Sequence, residues 1–424
     1  MPHITIIGGG VIGLCSAYYL VQENCSVTLI ERNAFADGCS FGNAGMIVPS
    51  HFIPLAAPGM IEQGIRWMLN SESPFFVKPR LSWALFNWGW EFYRAATQKQ
   101  VTAAAPALRD LSLMSKSLYR ELAQQPGFQF SFEEKGLMML CKSEHTLAEE
   151  AAVAEQANAL GIEARVLSKA ALNALEPEIK PEVAGGVYYP GDAHLHPNAF
   201  MQQMREYLIG AGVEILAETA VLDFEFRNKR ITHLKIRRNG QEQSLPVDEL
   251  LLATGAWSQH LGRSLRLNLP IQAGKGYSFT LPQREGQRLR FPSILAEARV
   301  AITPMADQFI RFGGTMEIGG LNETINLNRV RGIVKAIPQY FNGYAVEMPR
   351  EPNIWHGLRP CSPDGLPYIG RSHGHDNLSV ATGHAMMGLS LAPATGKLIS
   401  EMMMGKAPSV GMGLFEVGRY ERGS

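Results

Sequence analysis

The chain lacks any uncharged apolar run long enough to span a bilayer. Residues 1–7 lack the basic stretch and cleavable apolar segment of a secretory signal, so none is expected. A charge surplus of either sign is also missing. The 39 Lys and Arg residues balance 39 Asp and Glu, which argues against a nucleic-acid-binding surface and against an acidic disordered tail. Cysteine is scarce: Cys15, Cys25, Cys39, Cys141 and Cys361 are scattered and show no CxxC spacing. Neither a disulfide framework nor a zinc site is expected, and a reducing, cytoplasmic setting fits. No repeat and no low-complexity linker is visible, although 424 residues imply two or three domains. The domains are therefore expected to interleave in sequence.

Glycine, by contrast, is abundant, and its first cluster is informative. His3–Ile7 is a β-branched run that reads as a buried parallel strand. It leads into Gly8-Gly9-Gly10-Val11-Ile12-Gly13, a helix of small and apolar residues, a second strand over Ser26–Ile30, and then Glu31-Arg32. Strand, Gly-x-Gly-x-x-Gly, helix, strand and acid make a dinucleotide-binding unit. Gly8 permits the tight turn, Gly10 lets backbone reach a pyrophosphate, and Gly13 lets helix and strand pack closely. The helix N-terminus offers free N–H groups to phosphate, and Glu31 can accept the ribose hydroxyls. The unit does not distinguish NAD from FAD. The run from Gly38 to Ile47 follows, with Ser40, Asn43, Ala44, Gly45 and Met46. From its pattern alone it is either an ordinary glycine-rich loop or a second cofactor segment.

Several motifs in order carry a resemblance. Ser40-x-x-Asn43-Ala44-Gly45, Ala56-Ala57-Pro58-Gly59, Gly274-Lys275-Gly276-Tyr277-Ser278, Gly357-Leu358-Arg359-Pro360 and Gly383-His384-Ala385-Met386-Met387-Gly388 stand at the right stations. The chain resembles the D-amino-acid oxidase superfamily, and within it the bacterial D-amino-acid dehydrogenases. The resemblance implies an α/β (α+β overall) fold: a Rossmann-like FAD-binding domain (1–57, 197–264 and 354–424) interleaved with an antiparallel-sheet substrate domain (58–196 and 265–353). It implies non-covalent FAD, since none of the cysteines falls on the attachment position of covalent relatives. The cofactor would be held by Gly8, Gly10, Val11, Ile12, Gly13, Glu31, Arg32, Ser40, Asn43, Ala44, Gly45 and Met46. Val221 would lie near the adenine, and Thr254, Gly255 and Trp257 would form the second nucleotide segment. Gly383, Met386, Met387, Gly388, Leu389 and Ser390 would form a helix N-terminus facing the flavin pyrimidine edge.

Arg359 is expected to fork onto a substrate carboxylate, with Tyr277 sharing it and His384 at the same pocket. Lys275 would reach the flavin edge or be solvated. His194 and His196, two apart, would share one strand face; a metal pair lacks a third ligand nearby, leaving a polar pocket wall or plain structural histidines. This His-Leu-His departs from the family pattern and hints at a polar or cyclic substrate. The implied reaction is oxidative deamination of a D-amino acid, with D-proline and cis-4-hydroxy-D-proline as candidates. A hydride passes from Cα to flavin N5 and an imino acid results, with no compulsory general base. The alternatives are an oxygen-using amine oxidase of the glycine or sarcosine type, and a flavin-holding subunit of a larger complex. The acceptor expected is a quinone or respiratory chain rather than oxygen. The aromatic stretch from Pro58 to Thr97 reads as core helices or as a docking face for a quinone, another subunit or a membrane surface such as the inner face of the cytoplasmic membrane.

Overall fold

In the computed structural model residues 2–35, 38–68 and 72–421 are described, and two large sheets organise them. The first has the order Tyr368–Arg371, Leu378–Thr382, Glu249–Leu252, His3–Ile7, Ser26–Ile30, Glu214–Leu216. Its strands run parallel except Tyr368–Arg371, which is antiparallel to its neighbour. Strands covered on both faces favour continuous apolar runs, as in Leu250, Leu251 and Leu252, and Thr5, between Ile4 and Ile6, is itself fully buried. The helices Val11–Gln22 and Gly388–Met403 pack together and share one apolar core. At Gly396 the two backbones nearly touch: a Cβ there would sit 2.5 Å from the Cys15 carbonyl carbon. A meander of Thr219–Arg227, Arg230–Arg238 and Gln241–Pro246 shares a second core with Leu250 and Leu252.

The second sheet has the order Trp355–Cys361, Gln272–Pro282, Phe309–Ile318, Val300–Met305, Ser293–Leu295, Leu137–Cys141, Gly185–Tyr189, Arg165–Ser168, with Phe75–Val77 added beside Phe309–Ile318. It is antiparallel apart from two pairings, one being Leu137–Cys141 with Ser293–Leu295. Trp355–Cys361 is hydrogen-bonded along its length to Gln272–Pro282. It therefore belongs to this sheet, although the sequence reading grouped it with the nucleotide-binding residues. Strand membership follows the edge that offers free N–H and C=O groups, and continuity along the chain does not reveal it. Leu137–Cys141 forms one strand of this sheet, and upstream of it Glu133 bridges His194. The long helix Gln98–Ala123 starts where the Thr97 side chain accepts from Gln100 N and caps it.

No described helix is long and apolar enough to cross a membrane. The contact at Gly396 yields a stability test. Gly396→Ala forces two packed helices apart, and overpacking of this kind costs about 1–3 kcal/mol. The urea midpoint should fall accordingly, and an unchanged midpoint would refute the tight crossing.

Candidate functional site

A cavity of about 1070 Å³ opens between the two sheets and is lined from both. At one end the first strand turns through Gly8 and Gly10 into the helix. Gly8 has φ +115°, and a Cβ there would lie 2.3 Å from Ala253 O; at Gly13 it would lie 1.9 Å from Gly8 O. These two glycines serve packing. Gly10 borders the cavity, and a Cβ there would meet only Ser40 Oγ, at 3.7 Å, so the floor is clear. Glu31 is pinned by backbone: Gly9 N donates to Oε2 at 2.8 Å and Asn33 N to Oε1 at 3.0 Å. The Arg32 guanidinium lies over the Trp257 ring at 3.9 Å and pairs with Glu323 of the other sheet's loop at 3.6 Å. Val221, Thr254 and Gly255 border the same end.

Midway, the segment 38–45 is tied to both sheets. Val11 N donates to Ser40 Oγ at 3.1 Å, and Gly45 N to Asn43 Oδ1 at 2.9 Å. From the second sheet Arg311 Nη1 donates to Asn43 O at 2.8 Å, and Ser278 Oγ to Gly42 O at 2.8 Å. Gly42 is required here, since a Cβ would lie 1.9 Å from the Trp355 ring. At the far end Ile12, Ala44, Met46, Met386, Met387, Gly388, Leu389 and Ser390 border the cavity. Val48 N donates to Ser390 Oγ at 3.0 Å. Gly13, Gly45 and Gly383 sit outside the lining; at Gly45 and Gly383 positive φ angles and close neighbours demand glycine.

Arg359 also borders the cavity. Directly opposed residues on paired strands share a face. Arg359 opposes Gly274, and Gly357 opposes Gly276, so the guanidinium lies over a strand with no side chains beneath it. A Cβ at Gly276 would sit 2.1 Å from Arg359 Nη1. Nη1 donates to Thr315 O at 2.7 Å, and among the described residues no carboxylate lies within 4 Å of the guanidinium. Burial pulls its pKa below the ordinary arginine value, only partly offset by the thiols of Cys39 and Cys361. An arriving carboxylate would relieve that cost.

The same register corrects two expectations. Tyr277 and Lys275 point to the opposite face from Arg359. The Tyr277 hydroxyl donates to Glu317 Oε2 at 3.2 Å and accepts from Asn326 N at 3.1 Å, so it does not share a carboxylate with Arg359. Lys275 is neither solvated nor turned to a cofactor edge: it is buried, donates to Thr324 O at 2.6 Å and faces Glu317 at 3.8 Å. His384 forms part of the wall, but its Nε2 is engaged with Thr395 Oγ1 at 2.9 Å and burial holds its pKa down at about 3. His194 is buried beside Met46, outside the lining, and the strand Ala193–His194 ends before His196, whose Nδ1 accepts from Ala199 N and caps a helix. The shared face does not exist, and the hint of a polar substrate drawn from it loses its basis.

The residues present fit flavin adenine dinucleotide. A carboxylate fixed by two amides stands at one end, helix N-termini open on the cavity at Val11 and Gly388, and a Cβ at Gly10 or Gly255 would project into unfilled space. Cys39 borders the cavity and Cys361 lies behind it; burial pushes their thiols up to about 11 and about 12, so both stay protonated near neutrality. Among the described residues no group of three His, Cys, Asp or Glu could hold a metal ion.

Sequence reading passed over Thr315, Trp355, Ser50 and His51. Thr315 sits at a bulge with φ +63°, an outlier for a β-branched residue. Nothing local in the sequence signals it.

Comparison with known proteins agrees with the cavity. The family model described as FAD dependent oxidoreductase matches residues 3–402. A D-amino acid dehydrogenase of Methylobacterium radiotolerans is 30% identical over 424 residues, covering 99% of each chain. One from Helicobacter pylori is 28% identical over 400 residues, covering 94% of each. Among solved structures, glycine oxidase from Geobacillus kaustophilus superposes over 100% of both chains with a TM-score of 0.78 at 21% identity. L-proline dehydrogenase from P. horikoshii covers 100% of this chain and 98% of its own, with a TM-score of 0.75 at 18% identity; both show the fold. The matched length and the end-to-end identity settle the assignment: this chain belongs to the FAD dependent oxidoreductase family.

Proposed function

We propose that the protein oxidises a small D-amino acid at its α-carbon to the imino acid, using non-covalently held FAD and passing electrons to a quinone-type acceptor. One observation carries the reading: a cavity-lining guanidinium with no carboxylate partner among the described residues, laid flat on a strand of glycines. Its fork matches a carboxylate with two parallel charge-assisted hydrogen bonds. The bound flavin supplies the acceptor for the α-hydrogen and its two electrons. Arg359 fixes the carboxylate and Thr315 O fixes Arg359, while the Trp355 and Met387 side chains help keep water out. The D preference rests on the relatives named D-amino acid dehydrogenase.

Anaerobic addition of a panel of D- and L-amino acids, D-proline and cis-4-hydroxy-D-proline included, should bleach the flavin with at least one D member. A flavin that none of them bleaches would overturn the reading and favour a flavin-holding subunit. Arg359→Ala removes charge-assisted bonds worth about 1.5–3 kcal/mol, so KM should rise roughly 10- to 100-fold while flavin stays bound. Glu31→Ala strands the Gly9 and Asn33 amides, and the flavin-to-protein absorbance ratio after dialysis should fall.

A specific feature supports the acceptor. The helix Trp83–Ala95 buries Trp88, whose Nε1 donates to Cys361 O at 2.9 Å. Its outer face carries Trp83, Phe86, Trp90 and Tyr93, exposed by 78%, 63%, 52% and 62%. Interfacial helices bury such aromatic faces at the headgroup boundary. Exposed Arg66, Lys78 and Lys99 suit anionic lipid. We infer peripheral attachment there, within reach of a lipid-soluble quinone. Wild-type protein should sediment with anionic vesicles and a Trp83→Ser/Trp90→Ser variant should not; equal sedimentation would remove this surface.

A further inference from the structure

Three polar side chains from two distant parts of the sequence form a line at the cavity wall. The strand Met46–Ile47 pairs antiparallel with Ala193–His194, which sets Ser50 and His51 against the turn holding Asp192. Asp192 is fully buried and receives two bonds from one residue. Ser50 N donates to Oδ1 at 3.1 Å, and Ser50 Oγ to Oδ2 at 2.5 Å. Ser50 Oγ also lies 3.1 Å from His51 Nδ1. With its hydrogen engaged by Asp192, the serine oxygen can only accept, so Nδ1 carries the imidazole proton and Nε2 keeps its lone pair. Nε2 has no partner among the described residues and is not sealed off, and His51 and Ser50 border the same cavity as Arg359.

We propose that His51, Ser50 and Asp192 form a proton relay that takes the proton from the amino group of a substrate held at Arg359. This rests on the amino-acid reading above. The substrate N–H bond breaks and leaves its electrons on nitrogen, while the proton binds His51 Nε2. The Nδ1 proton passes to Ser50 Oγ, and the serine proton passes to Asp192 Oδ2. The ammonium loses its positive charge, the carboxylate loses its negative charge, and the imidazole ends neutral in its other tautomer. The freed lone pair on nitrogen is what imine formation requires.

The acidities suit the task. Burial, then the Arg299 guanidinium, holds His51 down at about 4, so the ring itself does not store the charge. Burial pushes Asp192 up to about 7, against the pull of the Ser50 bonds and of Lys116. A terminal acceptor near the working pH is the favourable case for general base catalysis. The groups facing the relay are Arg299 towards His51, with Glu150 beside Arg299, and Lys116, Tyr188 and Tyr189 towards Asp192. Below about pH 7 Asp192 is already protonated, the line of donors reverses, and Nε2 carries a hydrogen instead of a lone pair.

The test is anaerobic single-turnover reduction of the holoenzyme across pH. Wild type should lose rate as pH falls through about 7. His51→Gln should slow reduction by roughly 10²- to 10⁴-fold near neutrality, with flavin content and substrate affinity retained. That loss should shrink at alkaline pH, where the amine arrives neutral; a purely structural defect would not recover. Asp192→Asn should abolish the acid limb, and Ser50→Ala serves if that variant fails to fold. Nitrogen-15 NMR of His51 gives a readout free of turnover: Nδ1–H above pH 7, reversing below it. A His51→Gln enzyme as fast as wild type at every pH, or an Nε2–H tautomer at pH 8, overturns the relay. Wild-type flavin that no amino acid bleaches overturns the functional reading instead, and the NMR arm still decides the relay.

Discussion

A guanidinium lies flat on a β-strand because that strand has no side chain beneath it. Arg359 over Gly276 is the contact on which the site depends. Any larger residue at 276 would lift the charge away from the sheet and break its bond to Thr315 O. Among the described residues no anion pairs with the guanidinium, so the fold carries a charge that a carboxylate would relieve. Thr315, held at φ +63° in a bulge, adds strain in the same place. Strain and unpaired charge at one spot are what a binding site costs a fold.

The second constraint is that the two sheets share one loop. Residues 38–45 receive a hydrogen bond from the N-terminus of the first helix through Ser40, and further bonds from Arg311 and Ser278 of the other sheet. The residues that line the cavity from both sheets are thereby held in one frame. The Val48–Ser390 bond extends that frame to the last helix. The short pairing of Met46–Ile47 with Ala193–His194 then delivers Ser50 to Asp192, across 142 residues of chain. The glycine turn, Arg359 and the Ser50–Asp192 contact are joined into one frame by these hydrogen bonds and strand pairings.

Local chemistry was legible wherever a single stretch of chain had to satisfy it. The strand, glycine turn, helix and acid of residues 3–31 follow from buried runs and close backbone approaches that sequence spacing encodes directly. Arg359 between Leu and Pro was legible as chemistry, because a guanidinium in an apolar context needs an anion. The tertiary structure decided what depends on facing. Tyr277 stands three residues from Gly274, yet strand alternation and register turn its hydroxyl to Glu317, away from Arg359. His194 and His196 fail to share a face because the strand stops at His194. Ser50, His51 and Asp192 carry no mark in sequence, since a hydrogen-bond line between segments far apart exists only after two sheets have closed on each other.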